Sequence, residues 1–323
     1  MKKIVLTFAL TINFLFCKTL LHSYLKIFSN EQKFQRQHIE QMYFDTAYDW
    51  SAWGILNAAA RNNFVGSTHQ VFEFVPQVAV DRYYPVALGE MIIGADVNGG
   101  GGKFSQDEES ATFGGYGVGG YLALKTQSYC FFSLSTKMVQ IFQNAHNQLL
   151  NNILWLIDAG VGKRFFLPQD YFIETRFHFG FGVILDSHYS YMQNAVPIGI
   201  DSQTGLPFNF LGIFSMGKKF EKSEAKISLA PMLDVYAKGK IFQQLDNQIV
   251  SYDNQPNFDL LLSIAYDVKM GEKSHFYTYV DFHALKFDVI FGLGFRLGFG
   301  EHKYKPLQYP NLKIPKLKKT YLK

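Results

Sequence analysis

The chain has 323 residues, a formal net charge of +4, 17% aromatic residues with 32 Phe and 19 Tyr, and two cysteines. Two cysteines exclude a disulfide-built scaffold, and no apolar run of about 18 residues follows the N-terminus, which excludes a transmembrane helix in the body of the chain. The positive charge is concentrated at one end: Glu301 to Lys323 holds seven Lys and one Glu, a balance of +6, so the preceding chain sums to −2, the basic balance says nothing for a nucleic-acid-binding body, and no nucleic-acid partner is expected.

Lys2 and Lys3 precede the apolar run Ile4 to Phe16, the layout of a secretory signal over 1–17, with cleavage placed anywhere up to 23. Cys17 follows the bulky Leu15 and Phe16, where a lipidation site wants small residues, so it reads as an ordinary signal residue. Removal of the signal at or beyond Cys17 leaves Cys130 as the one cysteine. Residues 18–41 are mixed in character, with Asn30 as a helix cap before EQKFQRQHIEQ. They read as a periplasmic or plug segment, or as a flexible leader.

From Met42 the chain alternates apolar and polar positions, the period of β-structure. A first strand is expected over 42–52, with Ser51 inward, and a second sets Phe72, Phe74, Val78 and Val80 against Glu73, Gln77 and Asp81. A third runs from Val86 to Val97, with Glu90 and Asp96 inward. Strands over 111–125 and 128–142 follow, joined at Thr126 and Gln127. The glycines of GGYGVGG, residues 114–120, alternate within a strand rather than opening a helix, so they are not a nucleotide fingerprint. Ile153 to Phe165 leads through FLPQD into YFIETRFHFGFGVIL, residues 171–185, whose odd positions are almost wholly apolar. Then come 207–218, with ambiguous faces, and 223–236, 257–269, 275–284 and 286–299.

The pattern predicts an all-β fold: a transmembrane antiparallel barrel of about twelve strands over 42–299, of the outer-membrane type, followed by a basic, Pro-containing tail over 300–323. An even count brings both ends to one side, and short connections alternate with longer ones at 54–69, 98–110, 143–152, 187–206 and 237–256, as single-chain outer-membrane barrels do. The link near Leu285 is the exception, a short connection on the long-loop side. A mean hydropathy of −0.04 agrees, because alternating apolar and polar positions average out.

Gly294, Leu297 and Phe299 resemble the glycine, hydrophobic and terminal aromatic positions of the signal by which bacterial outer-membrane proteins are recognised for insertion. Leu297 stands where an aromatic is commoner and Gly292 where a polar residue is usual, and 24 residues follow Phe299. The phrases GKRFFLPQDYFIETRFHFGFG and FGLGFRLGFG resemble outer-membrane proteins of Helicobacter and its relatives. This resemblance implies a location in the outer membrane of a Gram-negative bacterium, with outer-membrane lipid and the barrel-insertion machinery as partners. It assigns no residue a role.

Function is open between several readings. Asp158, Arg164, Glu174, Arg176, His178, Asp267, Asp281, His283, Asp288 and Arg296 share the expected interior, where they either line a pore and set its selectivity or pair and fill it. Passage of small polar solutes stands first. A closed barrel acting as an adhesin or structural surface protein is second. An autotransporter-like translocator is third, set back by the lack of a sizeable passenger between the signal and Met42. His188 and Ser190 resemble part of the outer-membrane phospholipase pattern, but parity turns both to the lumen, away from lipid, and a polar loop is the plainer reading. No cofactor or metal is expected: His178 and His283 lack a third ligand, and Asp107, Glu108 and Glu109 read as a solvated acidic loop rather than a calcium site. The outer-loop partner is not named by any motif.

Overall fold

A computed structural model of the chain describes residues 49–63, 69–106, 109–145, 148–193, 196–201, 208–235, 239–243, 248–252, 257–285 and 287–300. Fifteen strands run through them: β1 Trp50–Asn63, β2 His69–Val86, β3 Gly89–Gln106, β4 Glu109–Thr126, β5 Cys130–Ala145, β6 Gln148–Phe166, β7 Tyr171–Gln193, β8 Val196–Asp201, β9 Phe208–Lys219, β10 Ser223–Val235, β11 Gly239–Gln243, β12 Gln248–Tyr252, β13 Asn257–Gly271, β14 Ser274–His283 and β15 Asp288–Phe299. Each of twelve of them pairs antiparallel with its neighbour, β1 pairs with β15, and β6 with β7, so the sheet closes on itself. The expected antiparallel transmembrane barrel of twelve strands is the fold. The other three strands lie beyond it, β8 paired with the end of β7 and β11 with β12.

Closure is what the surroundings demand. In hydrocarbon an unpaired sheet edge leaves N–H and C=O groups with nothing to bond, and a closed barrel has no edge. The outward positions carry the lipid contact: Phe74 and Val80 on β2, Leu134 on β5, Phe177 on β7, Ile264 on β13 and Phe291 on β15 are all exposed large apolar side chains. Near the short-turn end this belt ends in cation-aromatic pairs. Arg82 stands over the rings of Trp50 and Tyr84, Lys163 over Phe165, and Lys218 over Tyr171 and Phe220. Such pairs suit the interface, where an aromatic body meets lipid and a cation meets headgroups and water.

Both barrel ends lie on the side of the short turns, the inner side, where connections such as Ala87-Leu88 and Glu272-Lys273 need two residues. The other rim is uneven. About 9–11 tilted residues cross a bilayer, and β14 has 10, whereas β6 has 19 and β7 has 23. The wall is therefore tall over β2 to β7 and low at β14 and β15, whose short link at Ala284 to Phe287 holds Phe287 at φ 53°.

Several expected boundaries shift. Among the described residues the first strand is β1, Trp50–Asn63, which takes in residues 50–52 of the expected strand and runs on beyond it; residues 42–48 lie outside the described residues. The expected loop 54–69 is largely strand, hidden because Trp53 and Ile55 point inward and break the apolar-out rule. The expected third strand, 86–97, runs on to Gln106, so the four-glycine stretch is strand. Gly101 pairs with Phe74 on one side and Gly114 on the other, and pairing on both edges overrides the low strand propensity of glycine. Asp107 and Glu108 lie outside the described residues. The expected loops 143–152, 187–206 and 237–256 likewise contain the ends of β5 and β6, the end of β7 with β8, and the β11–β12 hairpin. On β9 the structure settles the faces: Asn209, Leu211, Ile213 and Ser215 turn inward.

Candidate functional site

Among the described residues, the interior gathers the buried ionisable side chains. Alternation sends every second residue of the wall inward, and those residues are almost completely buried. Glu174 and Arg176 have 0% exposure, Lys137 and Asp158 have 1%. Burying a charge costs several kcal/mol unless a partner meets it, and the partners are found along the wall.

Four groups recur. Near the inner end, Arg164 on β6 donates from Nε to Glu174 on β7 at 2.8 Å and from both terminal nitrogens to Glu224 on β10 at 2.9 Å, the two-pronged geometry that suits a guanidinium. Glu174 also meets Arg176 at 2.5 Å, while the Arg164 guanidinium stacks 3.9 Å from the Phe172 ring centroid. Across β15, β1 and β2, Arg296 donates to Ser51 at 2.9 Å and to both oxygens of Asp81 at 3.0 and 3.2 Å. Ser51 and the Tyr121 hydroxyl also donate to Asp81. Lys137 on β5 reaches over β4 to Asp96 on β3 at 2.9 Å.

The fourth group is a repeated pair. His178 meets Asp158 at 2.9 Å, His275 meets Asp267 at 3.2 Å and His283 meets Asp259 at 2.6 Å, each through Nδ1 and each across one strand boundary. His178 and His283 sit on β7 and β14, four strands apart around the wall, each engaged with its own aspartate. Among the described residues no group of three His, Cys, Asp or Glu is arranged to hold a metal ion. Ser133 lies across Gly160 from the Nδ1–Cε1 edge of His178. Asp158 already occupies that edge, whereas a nucleophile relay places its serine at Nε2.

The ten interior candidates named from sequence all turn inward and are buried, and Asp158, Arg164, Glu174, Arg176, His178, Asp267, His283 and Arg296 stand in the pairs above. Asp281 and Asp288 are buried on β14 and β15, whose register sets Asp281 opposite Ile290 and His283 opposite Asp288. Asp81, Asp96, Lys137, Glu224 and Asp259 belong to the same networks and were missing from that set, although their parity carried the same signal. The interior is also less polar than expected. Trp53, Ile55, Val75, Ile92, Phe131 and Tyr277 belong to one buried apolar cluster on the inner wall of β1 to β5 and β13 to β15. A smaller one, Leu211, Ile213, Ala230, Met232 and Leu261, lies on β9, β10 and β13.

His188 and Ser190 sit in the outer part of β7, not in a loop. The register between β6 and β7 shifts between Ile153 and Leu154, below that level. Their side chains lie outside the described residues.

No protein-family model and no curated protein matches the chain. Solved structures do. The β-domain of the Bordetella autotransporter BrkA is similar at a TM-score of 0.63 and 14% identity, covering 78% of this chain and 100% of that one. The translocator domain of the autotransporter NalP from Neisseria meningitidis is similar at a TM-score of 0.64 and 11% identity, covering 84% and 96%. The transport unit of the autotransporter AIDA-I from Escherichia coli follows at 0.55 and 11%, covering 78% and 90%. At these identities the likeness is one of fold. The narrower resemblance to Helicobacter-type proteins is carried by the sequence phrases alone.

Proposed function

We propose that the chain resides in a bacterial outer membrane as a closed barrel that anchors and presents its outer strand extensions, rather than as an open diffusion pore. The observation that carries this reading is the burial of the interior charges. An aqueous pore hydrates the side chains that line it, yet Glu174, Arg176, Lys137 and Asp158 are buried to within 1%, and their charges are matched by neighbours along the wall. The outer extensions of β6 and β7, with β8 and the β11–β12 hairpin, supply chain beyond the bilayer for contact with a partner.

Purified protein reconstituted in planar bilayers tests this. A closed barrel gives no steady unit conductance above empty controls; a stable open-channel current would sink the proposal and favour passage of small polar solutes, which the polar sector of the wall supports. The translocator reading rests on likeness of fold to three autotransporter domains.

A further inference from the structure

We propose that the barrel wall is two six-stranded halves hinged along two seams on opposite sides, and that the halves splay at the outer mouth while their inner ends stay tied. This rests on the fold alone and holds whether or not the barrel conducts. Pro76 on β2 and Pro231 on β10 stand within the wall, away from the strand ends, and both turn outward. Proline has no N–H, so inside a sheet it removes a ladder bond and is ordinarily confined to edges and bulges. Both ladders record the loss. Between β2 and β3 the pairing breaks after Phe74 with Gly101 and resumes at Gln77 with Asn98. Between β10 and β9 it breaks after Leu229 with Phe214 and resumes at Met232 with Leu211. Among the described wall ladders, these are the two interior breaks that leave the register unchanged.

Their placement makes them a pair. Around the wall, β3, β4, β5, β6, β7 and β9 lie between the breaks on one side and β10, β13, β14, β15, β1 and β2 on the other, so the two seams are diametrically opposed. The registers set Pro76 against Gly99 and Pro231 against Gly212. At each place a ring nitrogen that cannot donate stands where the ladder needs an N–H, and hydrocarbon offers no water in its stead. Crowding demands neither glycine. A Cβ on Gly99 would come no closer than 3.7 Å to the Gly115 carbonyl oxygen, and one on Gly212 no closer than 3.5 Å to the Phe214 ring, both ordinary contacts. What glycine adds at both places is backbone freedom beside a missing bond.

The seams are tied from inside, on the inner side of each proline. Across the first, Gln77 Nε2 donates to Asp96 at 2.8 Å and the Tyr121 hydroxyl to Asp81 at 2.9 Å. Across the second, Arg164 donates to Glu224 at 2.9 Å and the hydroxyls of Ser215 and Ser228 bond at 2.8 Å. β2 runs inward from Pro76 through Gln77 to Asp81, and β10 runs outward from Glu224 through Ser228 to Pro231, so these ties leave the outer part of each seam to move. Beyond the prolines, one half carries β8 and the other β11, and these two strands lie against each other across the second seam. Splaying parts them, so a partner that holds them together or apart sets the width of the mouth.

Double electron–electron resonance on the full chain in lipid nanodiscs, with Cys17 and Cys130 replaced by Ser, tests this. Spin labels on Gln140→Cys of β5 and Val289→Cys of β15 report the outer width between the halves. Labels on Phe132→Cys and Leu297→Cys of the same strands report the inner width. The outer pair should give the broader distance distribution, and Pro76→Val with Pro231→Val should narrow it to that of the inner pair. Equal breadth at the two ends of the proline-bearing wall would overturn the proposal, as would an outer breadth that persists in a folded, heat-modifiable Pro76→Val, Pro231→Val barrel. Hydrogen exchange gives a second reading that needs no variant. Amides at 99–101 and 210–213 should exchange about tenfold faster than those at 116–118 and 138–140 in the unbroken β4–β5 ladder, and equal protection would overturn the hinge.

Discussion

The Tyr279 hydroxyl on β14 crosses over Gly292 of β15 and donates to Asn57 Oδ1 on β1 at 2.5 Å. Three strands are tied through one side chain, and the tie needs the middle strand bare: a Cβ on Gly292 would sit inside the Tyr279 ring. Tyr121 does the same over Gly94 to reach Asp81. These ties fix the register next to the β1–β15 pairing that closes the barrel.

Gly292→Ala should therefore destabilise the barrel more than Tyr279→Phe. The first forces the ring off its site, at about 1–3 kcal/mol for an overpacked position; the second removes one hydrogen bond and leaves Asn57 short of a donor, about 1–2 kcal/mol. Urea titration of the protein folded into lipid vesicles measures both. Gly292→Ala combined with Tyr279→Ala should cost less than the two single changes together, because the clash is gone, and additive losses would sink the account.

At the inner end, Glu174→Gln leaves Arg164 with Glu224 but takes the carboxylate from Arg176, deep in the wall. Breaking a buried ion pair by removing one partner costs about 3–5 kcal/mol. Glu174→Gln should lower the urea midpoint accordingly, and Glu174→Gln with Arg176→Met should recover part of the loss. If the double variant is no better than the single, the charge argument fails at this site.

How much of this could be read from the chain follows from what each signal encodes. Alternation reports side-chain direction, so Glu174, Arg176 and Arg296 could be assigned to the interior with no partner in view. It does not report pairing across strands, so that Arg164 would join Glu224, 60 positions away, was not legible. Alternation also fails where the inward face is itself apolar, as at Trp53 and Ile55. The glycines at 99–102 look like a loop because glycine propensity is a local property, whereas their strand is held by β2 and β4 on either side.

The lipid-facing side makes a depth-dependent prediction along one strand. Ile264 is 61% exposed at the middle of β13 and Met270 is 66% exposed near its inner end. Arginine at the bilayer midplane costs about 2–4 kcal/mol and near an interface about 0–1. Ile264→Arg should therefore lower folding stability in vesicles by several times more than Met270→Arg. Equal effects would mean that the membrane does not sit across the middle of the belt.

The inner turn between β6 and β7 carries removable strain. Gln169 and Asp170 both have positive φ, 61° and 62°, the pattern of hairpin turns whose central residues are usually Asn-Gly. A left-handed conformation costs an ordinary residue about 1–2 kcal/mol, least for Asn and Asp and little for Gly. Neither side chain is buried, so replacement disturbs no packing. Gln169→Asn with Asp170→Gly should raise the urea midpoint by the equivalent of about 1 kcal/mol, with most of the gain from position 169, because Asp already tolerates this conformation. A loss of stability would show that the turn is held by its side chains and not limited by its backbone.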